Sequence, residues 1–249
     1  MHRFTISPDR VSGDRVAFDA DETRHLARVL RLGPGDVVAA ADGRGHAWQV
    51  RIVSLGDTAA GAIIGAVSPA PESPLAISLV QGVPKGDRME AIVRATTELG
   101  VARILPALTE RTVVRLEAGR WRERARRWQR VAREATKQCG RAVVPAVEAP
   151  RPLTEWIASD APADLRLCLW EVEGEPLRRV LERFGRTARS ATVIVGPEGG
   201  LTRDEVARAG AEGYLAVTLG GRILRTETAG PAIVALLQYD LGDLGVVAP

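Results

Sequence analysis

Apolar residues follow two different rhythms on either side of Ser68-Pro69-Ala70-Pro71-Glu72-Ser73-Pro74. Three prolines in seven residues disfavour helix and central strand alike, so this stretch reads as a boundary. Before it, short apolar runs over 15–18, 37–41, 47–54 and 62–67 are punctuated by turns such as Gly33-Pro34-Gly35-Asp36 and Asp42-Gly43-Arg44-Gly45. Short strands spaced by turns predict a small β-barrel. One helical pattern, 21–32, interrupts them. There His25, Leu26, Val29, Leu30 and Leu32 make an apolar side, with Arg24, Arg28 and Arg31 on another.

After the boundary, strand-like runs at 75–83, 103–108, 165–171, 191–195 and 214–219 alternate with helical periods at 87–99, 120–139, 176–184, 203–212 and 231–239. In the first of these helices Met89, Ile92, Val93, Thr96 and Leu99 recur at helical spacing, and Gly100 ends it. Alternating β and α with short turns predicts an α/β domain on a mostly parallel sheet covered on both faces. The expected organisation is one domain over 1–70 and a second over 71–249.

Two predicted strands break into glycine-rich turns that open helices. Gly196-Pro197-Glu198-Gly199-Gly200-Leu201 follows the strand 191–195, and Thr202-Arg203-Asp204-Glu205 has the form of a capping box. Leu219-Gly220-Gly221-Arg222-Ile223-Leu224-Arg225-Thr226-Glu227-Thr228-Ala229 follows the strand 214–219, and Pro231 fits the first turn of its helix. Glycine at a strand end lets the backbone approach a ligand with no Cβ in the way. Two such loops from neighbouring strands would line one crevice at the carboxyl edge of a parallel sheet. Neither spells a Walker loop or the dinucleotide fingerprint. The second turn crowds Arg222, Arg225, Thr226, Glu227 and Thr228 between apolar strand and apolar helix, which marks a ligand site.

Composition changes this picture in one respect. A chain of 249 residues with 45% apolar and 26% charged residues is ordinary globular material, and its net charge is only +3. The charge is unevenly placed: residues 120–137 hold eight basic side chains against Glu123 and Glu134. A concentrated positive element suggests a polyanionic partner. Trp121, Ala125, Trp128, Ala132 and Ala135 form one apolar stripe on this helix, read as packing, which leaves flanking guanidiniums facing outward for phosphates. Cys139 and Cys168 lack C-x-x-C spacing and the three histidines are scattered, so neither a disulfide framework nor a metal is expected. No run suggests a signal peptide or a membrane span, and a cytoplasmic location is expected.

The motifs in order are His25-Leu26-Ala27-Arg28-Val29-Leu30-Arg31 with Gly35-Asp36, Gln81-Gly82-Val83-Pro84-Lys85-Gly86-Asp87-Arg88-Met89-Glu90, Thr97-Glu98-Leu99-Gly100-Val101, Arg133-Glu134-Ala135-Thr136-Lys137-Gln138-Cys139-Gly140-Arg141 and the two glycine turns. Nearly end to end, this series resembles the family of 16S rRNA (uracil-N3)-methyltransferases, RNA methyltransferases with a trefoil-knotted SPOUT domain. The resemblance implies a PUA-like N-terminal barrel and a C-terminal sheet whose last helix threads a loop. It also implies a homodimer, S-adenosyl-L-methionine as cofactor, and one uridine of 16S rRNA in the small ribosomal subunit as target.

On that reading Gly196, Pro197, Glu198, Gly199, Gly200, Leu219, Gly220, Arg222, Ile223, Leu224, Thr226, Thr228 and Ala229 hold the cofactor. Arg225 steadies negative charge on the uracil, and Glu227 (or Glu198) is the general base; the competing role for Glu227 is ion-pair partner of a nearby arginine. Arg3, Arg24, Arg28, Arg31, Lys85, Arg133 and Lys137 would hold RNA. Two alternatives stand beside this one: a ribose 2′-hydroxyl as acceptor, and a non-catalytic RNA-binding protein that keeps an empty cofactor fold.

Overall fold

Alternating residues of short strands supply the first core. Phe4, Ile6, Val16, Phe18, Leu26, Val38, Val50 and Ile52 are buried together, and those on strands are the inward members of pleated pairs. In the computed structural model, which describes residues 1–114, 116–159, 163–184 and 187–245, this core belongs to a unit formed by 1–72 and 133–144. Its strands are β1 (Arg3–Thr5), β2 (Val11–Ser12), β3 (Arg15–Ala17), β4 (Val37–Ala41), β5 (Ala47–Ser54) and β6 (Ala60–Ala66). They form one sheet in the order β1-β4-β5-β6-β3-β2, antiparallel except for β1 with β4. Gly61 is required here: a Cβ would stand 2.3 Å from Val50 Cγ1 across the irregular β5–β6 ladder.

The helix expected over 21–32 is not regular. Asp19 caps α1 (Ala20–Arg24) by accepting from the Glu22 amide at 2.8 Å. The next turn, His25–Val29, is widened, with the Leu30 amide donating to the His25 carbonyl at 3.0 Å. Arg31 then takes φ 56°, and the Leu32 amide closes the end on the Leu26 carbonyl at 3.0 Å. A reversal of this kind ordinarily falls to glycine.

The second unit, 73–132 with 145–249, is built on eight strands: β7 (Ala76–Gly82), β8 (Arg103–Leu108), β9 (Ala146–Val147), β10 (Arg151–Pro152), β11 (Leu165–Leu169), β12 (Glu175–Pro176), β13 (Ser190–Val195) and β14 (Leu215–Thr218). Their order is β10-β8-β7-β13-β11-β14-β12, with β9 beside β8, and every pairing is parallel. Central strands covered on both faces need continuous apolar runs, and 191–195 are all buried. Around the sheet lie α2 (Arg88–Glu98), α3 (Ala118–Cys139), α4 (Leu153–Ser159), α5 (Leu177–Phe184), α6 (Arg203–Ala211) and α7 (Thr226–Leu241). From Arg133 on, α3 counts with the first unit.

One boundary departs from expectation in a way that matters for the site. Helix α7 starts at Thr226, so Pro231 lies inside it rather than in its first turn. Having no N–H, Pro231 cannot bond the carbonyl of Glu227, four residues back.

Candidate active site

Because all eight strands of the second sheet run the same way, Gly82, Leu169, Val195 and Thr218 finish at one edge. The loops leaving them enclose a cavity of about 520 Å³, within the usual size of small-molecule sites. Close backbone packing fixes its walls. A Cβ at Gly82 would stand 2.5 Å from Pro197 N, and one at Gly196 would stand 2.9 Å from the Gly200 carbonyl carbon. The turn at 196–200 is tied down from several sides. The Gly200 amide donates to the Pro197 carbonyl at 2.9 Å and Arg111 Nη1 to the Gly199 carbonyl at 2.7 Å. The expected capping box is present: the Glu205 amide donates to Thr202 Oγ1 at 3.2 Å, and the Thr202 amide to Glu205 Oε2 at 2.9 Å. The other Glu205 oxygen accepts from the Glu110 amide at 2.9 Å.

Thr226 joins two strand ends, those of β13 and β7. Its hydroxyl donates to the Gly196 carbonyl at 2.7 Å and accepts from Gln81 Nε2 at 2.9 Å, while the same amide group of Gln81 reaches the Gly82 carbonyl at 3.1 Å. At the next residue, Glu227, Oε1 lies 3.7 Å from Arg88 Nε, and the Arg88 guanidinium also donates to Glu198 Oε1. Glu198 accepts the Lys85 amide too, at 2.9 Å. Burial alone would raise the Glu198 carboxyl, but backbone amides and the Arg88 charge outweigh it and hold the group below its usual range. Glu227 Oε2 is different. It is buried with no hydrogen-bond partner, as is Gln81 Oε1, and a buried polar atom left unpaired is costly unless a ligand or water meets it.

The structure brings most of the predicted site residues together. Gly196, Pro197, Glu198, Gly200, Leu219, Arg222, Ile223, Leu224, Thr226 and Ala229 line the cavity with Arg225, Glu227 and Lys85. Gly199 and Gly220 lie in the same turns, and Thr228 in the first turn of α7, without lining it. Sequence reasoning missed Arg88, Leu169, Trp170, Glu171, Val195, Leu201, Val217 and Thr218. Arg88 stood in the motif after the first strand of this sheet. The 169–171 wall had only a strand end to announce it.

The other predicted RNA-binding residues, Arg3, Arg24, Arg28, Arg31, Arg133 and Lys137, fall in the first unit. Arg28 and Arg31 are exposed. Arg24 pairs with Asp21 at 3.1 Å, and Arg133 Nη1 lies 3.9 Å from Asp19. Lys137 is not free to meet a phosphate. Its side chain is only 10% exposed, and its ammonium lies between Glu22 at 2.8 Å and Glu134 at 2.7 Å.

Comparison with known proteins adds to this geometry. The family model for an RNA methyltransferase domain matches residues 71–238, and that for an RNA methyltransferase PUA domain matches 18–64. A Synechocystis protein named ribosomal RNA small subunit methyltransferase E is 34% identical over 241 residues, covering 96% of this chain and 77% of that protein. The Bacillus subtilis protein of the same name is 28% identical, over 88% of each chain. Among solved structures, a ribosomal RNA small subunit methyltransferase E from Neisseria gonorrhoeae bound to S-adenosyl methionine is 34% identical with a TM-score of 0.88, covering 98% of this chain and 99% of that one. A putative methyltransferase from Legionella pneumophila, in complex with the bound cofactor SAM, is 29% identical with a TM-score of 0.89, covering 97% and 98%.

Proposed function

This chain belongs to the ribosomal RNA small subunit methyltransferase E family of RNA methyltransferases, and on that premise we propose that it methylates N3 of one uridine in 16S rRNA, using S-adenosyl-L-methionine. The cavity suits that donor. It offers glycine backbone at 196–200, apolar surface from Leu219, Ile223 and Leu224, and the carboxylate of Glu227, whose Oε2 lacks an internal partner. When bound, the sulfonium supplies an electrophilic methyl group for in-line displacement.

Uracil N3 carries a weakly acidic proton and is a poor nucleophile until relieved of it. Glu227 is placed to accept that proton through Oε2, the oxygen not engaged by Arg88. Arg225, at the start of α7 and lining the cavity, steadies the charge that spreads onto the flanking carbonyl oxygens. Because N3 lies on the Watson–Crick edge, the target uridine must be unpaired or extruded to react. Lys85 beside the cavity and the exposed Arg28 and Arg31 of the first unit contact RNA in this reading.

The observation that carries the proposal is that Glu227, with one buried oxygen lacking a hydrogen-bond partner, lines the same cavity as Arg225, which has no ion pair among the described residues. Helix α7, leaving β14, packs against α2, β7 and β13 on the far side of β11, which supports the threaded knot that the resemblance implies. Exposed Tyr239 and Leu236 on α7 support a homodimer. The test is incubation of the purified chain with donor and small-subunit rRNA, followed by nucleoside mass analysis. Base methylation of uridine is expected, and a methylated ribose would overturn the proposal.

A further inference from the structure

The part of α3 that belongs to the second unit is fixed there from its inner side. Trp121, Ala125 and Trp128 are buried. Gln129 donates to the Pro145 carbonyl at 3.0 Å and accepts from the Val147 amide at 2.8 Å. Two of its arginines are already engaged, one with α2 and one within the helix itself. Arg127 Nε lies 2.7 Å from Glu90 Oε1, and the Arg124 guanidinium sits over the Trp121 ring at 5.9 Å from its centre.

Arg122, Arg126 and Arg130 are engaged in nothing comparable. Arg122 and Arg126 are exposed, and none of the three makes an ion pair among the described residues. Spaced at i, i+4 and i+8, they share one outward line along roughly 12 Å of helix, at about 1.5 Å per residue. Glu123, on the same helix, pairs with none of them. Some exposed arginines elsewhere find acids, as Arg178 does with Glu182, Arg183 with Glu175 and Arg203 with Glu173. Like charges repeated at helical spacing repel one another, so this row is held at a cost that its own fold does not offset.

A straight row of rigid donor forks matches an anion that itself repeats along a line, better than it matches an isolated small ion. We propose that Arg122, Arg126 and Arg130 form a second RNA contact, a track that grips the sugar–phosphate backbone away from the target nucleotide without reading its sequence. The inference rests on the proposed RNA substrate and adds a surface that the cavity chemistry does not need.

The test compares the wild-type chain with two triple variants. One is Arg122→Gln/Arg126→Gln/Arg130→Gln, which keeps good helix formers. The other is Arg122→Lys/Arg126→Lys/Arg130→Lys, which keeps the charge. Binding of a small-subunit rRNA fragment is followed across a salt series, and S-adenosyl-L-methionine binding by calorimetry. The glutamine variant should lose about 2–3 from the magnitude of the slope of log affinity against log salt, and bind at least about tenfold more weakly at low salt. The lysine variant should keep the slope, and donor affinity should be the same in all three. A glutamine variant with the wild-type slope overturns the track alone, as does a loss that lysine does not restore. A wild-type chain that binds no rRNA overturns the proposed function and the track together.

Discussion

Glu198 and Glu227 meet one guanidinium, the first from a loop and the second from the first turn of α7, yet they are suited to different work. Glu198 accepts from the Lys85 amide and from Arg88, and its carboxyl is held below the usual range, so it is a poor base and a good strut. Glu227 keeps Oε2 unengaged. Glu227→Gln should lower kcat by about 10²–10⁴ with donor affinity little changed. Arg225→Ala should lower kcat by about 10²–10³. Steady-state kinetics beside calorimetry separates these roles, since equal losses in turnover and donor binding would make Arg225 a binding residue instead. The thiols give a pH test of the fold itself. Cys168 is buried, and burial first, then the Glu205 charge, pushes its thiol from 9.0 up to about 12. Between those values the unfolded chain has lost a proton that the folded chain keeps, so this residue's contribution to stability falls as pH rises through that window. Alkylation of the native protein at pH ~8, just below the ordinary thiol range, should label Cys139, which is half-buried, and spare Cys168 until denaturant is added.

At the scale of elements, the cavity depends on loops packed backbone to backbone rather than through side chains. Gly82→Ala would set a Cβ 2.5 Å from Pro197 N, and main-chain atoms cannot turn aside as a flexible side chain can. The expected loss is about 1–3 kcal/mol of stability together with weaker donor binding, read by thermal unfolding and calorimetry. Long apolar strands such as β7 and β13, and the glycine turns after β13 and β14, were legible in the chain because strand period and turn chemistry agree there. The two-residue strands β9, β10 and β12 and the seven-residue α4 were not, being too short to show a period. The start of α7 was hidden because Gly230-Pro231 reads as an interruption. In the fold Gly230 is the point where α7 closes on Gln81, whose Oε1 would lie 2.8 Å from a Cβ there. The widened turn at His25–Val29 was not legible in the apolar spacing: an extra residue in a turn rotates the helix face, and Val29 is 65% exposed while Leu26 is buried. Of the site, the two glycine turns and the pair Arg225 and Glu227 were legible. Arg88 was not, because its role depends on β7 ending beside β13, and pairing order is not written in either segment.

The whole molecule divides at more than one place, and only one of them carries a sequence signal. The proline-rich stretch 68–74 marks one passage between the units, but the chain passes between them again within α3, at Ala132 and Arg133, where the helical period runs on without a break. Residues 133–144 complete the first unit chemically. The Gly45 amide donates to the Ala142 carbonyl at 3.1 Å and the Val144 amide to the Gly43 carbonyl at 3.0 Å, while Arg141 meets Glu72 through Nε at 3.1 Å. Glu22 is pushed up by burial, and Lys137 opposes that shift; burial would lower Lys137, but Glu134 and Glu22 outweigh it and raise the ammonium. Removing one partner of such a pair strands a charge in the interior, so Lys137→Met should cost about 3–5 kcal/mol, and adding Glu22→Gln should recover much of it. The same reasoning applies to fragments. Residues 1–72 alone would carry Glu22 without its counter-ion and the 42–45 turn without its bonding partners. A peptide of 1–72 should therefore melt broadly or not fold at all. Joining 133–144 to it through a flexible linker should restore a cooperative transition by circular dichroism. The Lys137→Met form of that joined chain should lose most of the gain, because the counter-ion, and not added length alone, closes the core of the first unit.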